Sequence, residues 1–180
     1  MARNTYGFTL IELLISLAII AVTSCFGLVS LHNFIQKTYS AETKSELYSS
    51  FSLAMAEATI RNYKTVMCPS IDGITCSTGI VWQHGWLVFV DLNADREVSS
   101  NEPIVVSQSA LAESMRLSST VGRNRLVFQS GGSNAGSNVS FTLCDGRGTA
   151  FAQAIILSNT GRIRSTSADP IIANSLCLSE

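Results

Sequence analysis

The chain has 180 residues, 46% of them hydrophobic and 14% charged, with a formal net charge of −1. That length holds one globular domain of moderate size beyond any anchor, and the charge balance excludes binding of nucleic acid by bulk positive charge. The positive mean hydropathy of +0.28 comes partly from a single N-terminal segment, so the remainder has an ordinary soluble composition.

That segment, residues 8–31, reads FTLIELLISLAIIAVTSCFGLVSL and is almost wholly apolar, with Glu12 near its start. Its 24 residues form ~36 Å of helix at ~1.5 Å per residue, enough to cross a bilayer core. A polar leader, MARNTYG, precedes it, carrying Arg3 and ending in Gly7. An ionisable residue inside such a run is costly and reads as functional. A cleaved signal peptide has a shorter apolar run with no acid inside it.

Past Leu31 polar residues return. Phe34, Ile35, Leu47, Phe51, Ala54, Met55 and Ala58 form a stripe at helical spacing, and Lys37, Lys44, Glu46, Glu57 and Arg61 fall mostly off it. No Pro or Gly interrupts from Leu28 to Thr65. One long helix is therefore expected, its first half in membrane or filament core and its second half burying the stripe against a sheet. Pro69, Gly73 and Gly79 break the pattern. Strands are expected at 86–90, 103–107, 125–130, 139–145 and 153–158, separated by Gly, Asn, Asp and Ser turns, including 91–95, 131–138, 146–148 and 159–161. The fold class is α+β: a long N-terminal helix on an antiparallel meander.

Five cysteines are present. Cys25 lies in the apolar run and reads as a free thiol. Cys68, Cys76, Cys144 and Cys177 form an even set in the segment that would be extracytoplasmic, which suggests two disulfides. Of the three pairings, Cys68–Cys76 with Cys144–Cys177 is preferred: the first closes a short loop and the second ties the chain end to a strand. No CxxC pair or nearby His completes a tetrahedral zinc set.

Gly7 followed by Phe8-Thr9-Leu10-Ile11-Glu12 resembles the class III leader of type IV pilins and of the pseudopilins of type II secretion. The resemblance implies cleavage by a prepilin peptidase after Gly7 and N-methylation of Phe8. It also implies that Glu12 meets the free amine of a neighbouring subunit. Amine and carboxylate are each expensive alone in lipid and tolerable as a pair. Trp82…Gly85-Trp86-x-Val88-Phe89-x-Asp91-x-Asn93-x-Asp95, then Glu102-Pro103, looks like the GspH/FimT family of minor pilins and H-type pseudopilins. The likeness includes Ser45-Glu46-Leu47 and Gly161-Arg162 and covers nearly the whole chain.

The resemblance implies the following organisation: a leader at 1–7, a transmembrane or filament-core helix at 8–31, its amphipathic continuation at 32–65, and a β-rich head at 66–180. It places the chain once across a bacterial inner membrane with a periplasmic head, and then in a pilus or pseudopilus. The implied partners are other major and minor pilins or pseudopilins, the prepilin peptidase, the inner membrane and, in one branch, double-stranded DNA.

Three constellations are candidates for chemistry. Asp91, Asn93, Asp95, Glu97 and Glu102 space their oxygens like a calcium loop, but Arg96 stands where that loop needs Gly. A polar turn capping its own backbone is the preferred reading. Six basic residues from Arg116 onward, all Arg, face three acids, whereas six basic residues and ten acids precede them. Arg forms planar bidentate contacts with phosphate that Lys does not. Gly161-Arg162-Ile163-Arg164 matches the GRxR motif that binds DNA in the DNA-uptake branch of the family. If extended, this piece puts both arginines on one face. Gly122-Arg123-Asn124-Arg125 and Arg147 are weaker candidates. The competing reading is a turn glycine with arginines that are solvated or paired to Asp145 and Asp169. Finally, His32 and His84 lack a nucleophile and orienting acid, and no phosphate-cradling Gly loop occurs. No enzymatic activity and no cofactor are expected.

Overall fold

A computed structural model describes residues 7–131, 133–134 and 138–178; within the first helix the side chains of 23–29 are outside the described set. The readings of leader residues 1–6, of Cys25 and of much of the 131–138 turn fall on residues outside that set. The chain divides into two compact units, Met1–Ile35 and Gln36–Glu180.

Helix α1 is Leu10–Arg61. Its start is specified locally. The Thr9 hydroxyl accepts the Glu12 backbone N–H at 3.4 Å and the Thr9 carbonyl accepts that of Leu13 at 3.2 Å. Thr9-x-x-Glu12 is the spacing of a capping box, and an acid in the first turn complements the positive helix end. In the first unit the large apolar side chains from Phe8 to Val22 are exposed, so the unit does not bury them itself. Among the described residues no helix is long and apolar enough to cross a membrane. The expected span, 8–31, includes the undescribed side chains of 23–29.

In the second unit α1 buries one face. Leu47, Phe51, Ala54 and Ala58 are fully buried at the 4-3-4 spacing of a helix stripe. The expected stripe also held Phe34 and Ile35, and this is corrected: Phe34 is 67% exposed and Ile35 39%. The buried face runs back instead through Thr43, Ser40 and Gln36. Gln36 and Ser40 are hydrogen-bonded there. Gln36 Oε1 accepts the Gly146 N–H at 3.1 Å and the Ser114 hydroxyl at 2.8 Å, and Ser40 Oγ accepts from Gln153 Nε2 at 3.4 Å.

The strands are β1 (Lys64–Pro69), β2 (Trp86–Asp91), β3 (Ile104–Gln108), β4 (Arg116–Ser119), β5 (Leu126–Phe128), β6 (Val139–Cys144), β7 (Gln153–Leu157) and β8 (Ile163–Ser167). A short helix α2, Pro170–Cys177, follows. The expected single meander is instead two four-stranded sheets, β3-β2-β1-β5 and β4-β6-β7-β8, antiparallel throughout. The main core lies between α1 and both sheets. Alternation divides β2: Trp86 and Val88 join the main core, and Leu87 and Phe89 join a smaller one on the other face with Val66, Cys68 and Val127. Both tryptophans belong to the main core. Trp82 Nε1 donates to Ser119 Oγ and Trp86 Nε1 to Ser50 Oγ, each at 3.0 Å, and Trp82 meets Phe141 edge-on at 5.0 Å.

The preferred cysteine pairs are bonded: Cys68–Cys76 and Cys144–Cys177. The first closes the loop over the smaller core. Inside it Asp72 accepts the N–H groups of Ile74 and Thr75 and the Thr75 hydroxyl, which holds its carboxyl far below the usual carboxylate range. The second bond fastens α2, whose N-cap Asp169 accepts the Ile171 and Ile172 N–H groups.

Gly85 joins the Trp82 turn to β2. Its φ is +119°, and a Cβ there would stand 2.4 Å from the Gln108 carbonyl oxygen. Gly122 has φ +79° but open space around it. Gly85→Ala should therefore lower unfolding free energy by about 3 kcal/mol, from backbone strain plus the clash, and Gly122→Ala by about 1 kcal/mol. Urea melts compared at unchanged m would check this, and equal shifts for the two variants would contradict it.

Candidate functional site

The β7–β8 hairpin presents the late arginines. Its turn closes with Gly161 N–H donating to the Ser158 carbonyl at 2.9 Å, and Ser158 N–H donating to the Arg162 carbonyl at 3.0 Å. Gly161 has φ +79°. A turn followed by a left-handed residue is a standard hairpin closure, and glycine enters that conformation without steric cost. Ile163 then pairs with Leu157 and packs on the core, and Arg164 pairs with Ile156. With Ile163 facing inward, alternation turns Arg162 and Arg164 outward, and both are exposed.

Neither guanidinium has an ion-pair partner among the described residues. The competing expectation paired them with Asp145 and Asp169, and both acids are engaged elsewhere. Asp145 is bidentate with Arg147, whose Nη2 lies 2.6 Å from Asp145 Oδ2, and Asp169 caps α2. Strand β8 is also an edge of its sheet, so one flank is open to a ligand.

The other candidate arginines do not join them. Arg125 Nη2 donates to both Glu97 oxygens at 2.9 and 3.1 Å, and the guanidinium also donates to the carbonyls of Ser77, Arg96 and Asn124. It clamps the 91–102 loop to the first sheet's side of the head. Arg147 is spent on Asp145 and lies 4.7 Å from the centre of the Phe151 ring; the Asp145 contact raises its pKa further. Arg116 bonds the carbonyls of Glu113 and Met115. Arg123, in the second Gly-Arg copy, is half-buried, and its N–H closes the turn on the Thr120 carbonyl at 3.0 Å. The six arginines thus make no single patch.

The 91–102 loop uses most of its acids on its own backbone, with the Glu97 carboxylate given to Arg125 and the buried Asp91 Oδ1 left without a hydrogen-bond partner among the described residues. Glu102 accepts the N–H groups of Leu92 and Ser99 at 2.8 and 2.9 Å. Asp95 accepts that of Glu97 and Asn93 that of Asp95. Ala94 and Arg96 sit at positive φ, at 64° and 66°. Val98 packs on the smaller core, so the loop is a cover for the first sheet.

These partnerships sort the arginines by what replacement does to the fold. Arg125→Ala leaves Glu97 and three carbonyls without their donor and should lower stability by about 2 kcal/mol. Arg162→Ala with Arg164→Ala should leave the melting temperature unchanged. Differential scanning calorimetry of both variants checks the division, and an equal drop for the double variant would refute it.

Comparison with known proteins agrees with this geometry. The model of the family described as type II transport protein GspH matches residues 44–161, and that of the prokaryotic N-terminal methylation motif matches residues 2–24. No curated protein sequence matches the chain significantly. Among solved structures, one of the type IV minor pilin FimU of Pseudomonas aeruginosa is 15% identical with a TM-score of 0.54, covering 81% of this chain and 97% of that one. A second FimU structure has 15% identity, a TM-score of 0.50, and coverage of 72% and 91%. The minor pseudopilin EpsH of Vibrio cholerae, from its type 2 secretion system, is 14% identical with a TM-score of 0.50, covering 71% and 96%. The structural likeness carries the fold and the family model spans well over half of the sequence, so the chain belongs to the GspH family and carries a prokaryotic N-terminal methylation motif.

Proposed function

We propose that this protein is a minor type IV pilin. Its first segment inserts in the bacterial inner membrane, a prepilin peptidase cleaves it after Gly7, and Phe8 becomes N-methylated. It then enters a filament with other major and minor pilins. The exposed apolar side chains from Phe8 to Val22 support this, since a patch of that size needs lipid or other subunits to cover it. Glu12 stands in the first turn of α1, near the chain end that cleavage would create. There it would meet the amine of a neighbour, each charge relieving the cost of the other.

We propose further that the head binds double-stranded DNA without sequence preference, through Arg162 and Arg164. The observation that carries this is two exposed guanidiniums on one face of an edge strand, with no ion-pair partner among the described residues. Planar forks suit phosphate oxygens, and these two contacts bind weakly, roughly micromolar or poorer, and contribute about −1.8 to the log–log salt slope. The second reading is an H-type minor pseudopilin with a structural role in protein secretion. The description of the matching family as a type II transport protein favours it.

Two experiments test these readings. Gly7→Ala should leave the precursor uncut in cells, visible by mass spectrometry as a product that keeps residues 1–7; normal processing would remove the pilin assignment. In a gel shift, the unit Gln36–Glu180 should retard duplex DNA at low salt, and Arg162→Ala with Arg164→Ala should abolish the retardation. No retardation by the wild type favours the secretion reading.

A further inference from the structure

Strand β8 has a second face. Ser165 and Ser167 lie on the side of Ile163, opposite Arg162 and Arg164, and pair with Ile155 and Gln153. They help to line a cavity of ≈ 390 Å³ together with Lys37 of α1, Arg147 and Phe151. The lining residues include no carboxylate. Arg147 is neutralised by Asp145 and stacked on Phe151, so the uncompensated charge here is Lys37. Lys37 is exposed and has no ion-pair partner among the described residues. The neighbouring basic residue of the helix, Lys44, is already bonded, its Nζ donating to Gln153 Oε1 at 2.8 Å. That same oxygen accepts the Ser165 hydroxyl weakly, at 3.5 Å, which leaves the Ser167 hydroxyl as the freer donor.

Two other cavities of the head have different chemistry. The groove between α2 and the 119–121 turn is lined by hydroxyls and apolar groups, with Asp169 as its only charge. The cleft beside Gln108 carries Glu42 and Glu46, the latter raised in pKa by burial and by Glu42. Neither attracts an anion.

We infer that Lys37 and the Ser167 hydroxyl form a second phosphate subsite, across the free edge of β8 from Arg162 and Arg164. The inference rests on the DNA reading above and extends it. From residue 163 to residue 167 the strand rises ~13 Å. One strand of duplex presents a phosphate every ~3.4 Å of axis, so about four phosphates pass that length. The two arginines take those at one end, and Lys37 with Ser167 takes one at the other. The backbone then wraps the sheet edge and does not merely touch one face.

The test uses the full-length protein in nonionic detergent and a duplex of about 30 base pairs, titrated at several salt concentrations. Lys37→Ala, at an exposed helix position where Ala is well tolerated, should reduce the magnitude of the salt slope by about 0.9 and weaken binding about tenfold near 50 mM salt. Lys37→Arg should keep the wild-type slope, and Ser167→Ala should weaken binding without changing it. If Lys37→Ala binds like wild type while Arg162→Ala with Arg164→Ala loses binding, the subsite is overturned and the DNA reading stands. If the wild type itself fails to bind at low salt, both fall together.

Discussion

The head depends on one contact: the face of α1 formed by Leu47, Phe51, Ala54 and Ala58, buried between two sheets. Leu47 and Phe51 each contribute about 2 kcal/mol from burial alone. Phe51 meets Phe141 at 5.7 Å, Phe141 meets Trp82, and Ser50 on the same helix takes the Trp86 indole N–H. The helix therefore joins sheets that share no strand-to-strand ladder. Strand β5 shows how the chain accommodates this. It leaves the run of β4, β6, β7 and β8 to pair with β1, which puts Leu126 and Phe128 on the common core.

Much of this was legible because its signals are local. The apolar run, its single acid, the lack of helix breakers, and β2, β3, β5, β6 and β7 all follow from pattern and turn chemistry; four head cysteines imply two disulfides, while their pairing was only a preference among three until the structure showed it. Two kinds of element were hidden. Strand β1 starts three residues after α1 ends, with Asn62 at φ 57° between them, so Lys64 and Thr65 read as the end of the helix and residues 66–69 as the break after it. Strands β4 and β8 are rich in Ser, Thr and Arg, and the sheet forms them through pairing, not propensity. Helix α2 did have a signal, Asp169 as cap with Pro170 at the first helical position, which was read only as a potential ion-pair partner. Gln36, Ser40 and Thr43 are another case: buried polar residues are invisible to a hydrophobic stripe until their partners are known.

The candidate site was legible in its residues and not in its grouping. Composition alone suggested six arginines acting together, but it carries no information on which are already paired. Arg125 and Arg147 are spent on Glu97 and Asp145, and both are nearly enclosed, with side chains 12% exposed. Arg162 and Arg164 have no such partners among the described residues. For the same reason Lys37, 125 positions earlier than Arg162 in sequence, gave no hint of lying near the last strand.

Gly161 and its arginines also show that a turn role and a binding role are not rivals. The glycine is required by the hairpin, and the hairpin is what alternates Ile163 inward with Arg162 and Arg164 outward. Edge strands commonly carry charge to block unwanted pairing, which would account for cations here without any ligand. Yet the opposite edge of this sheet, β4, is covered by the Val81–Ser118 bridge and the Trp82 N–H bond to Leu117, with no need of charge. An edge that needed only protection could be covered in the same way, or guarded by one lysine. Two forked cations at strand spacing, with no acid paired to them among the described residues of a head that pairs Arg125 and Arg147 tightly, are what an anionic partner along that edge would require.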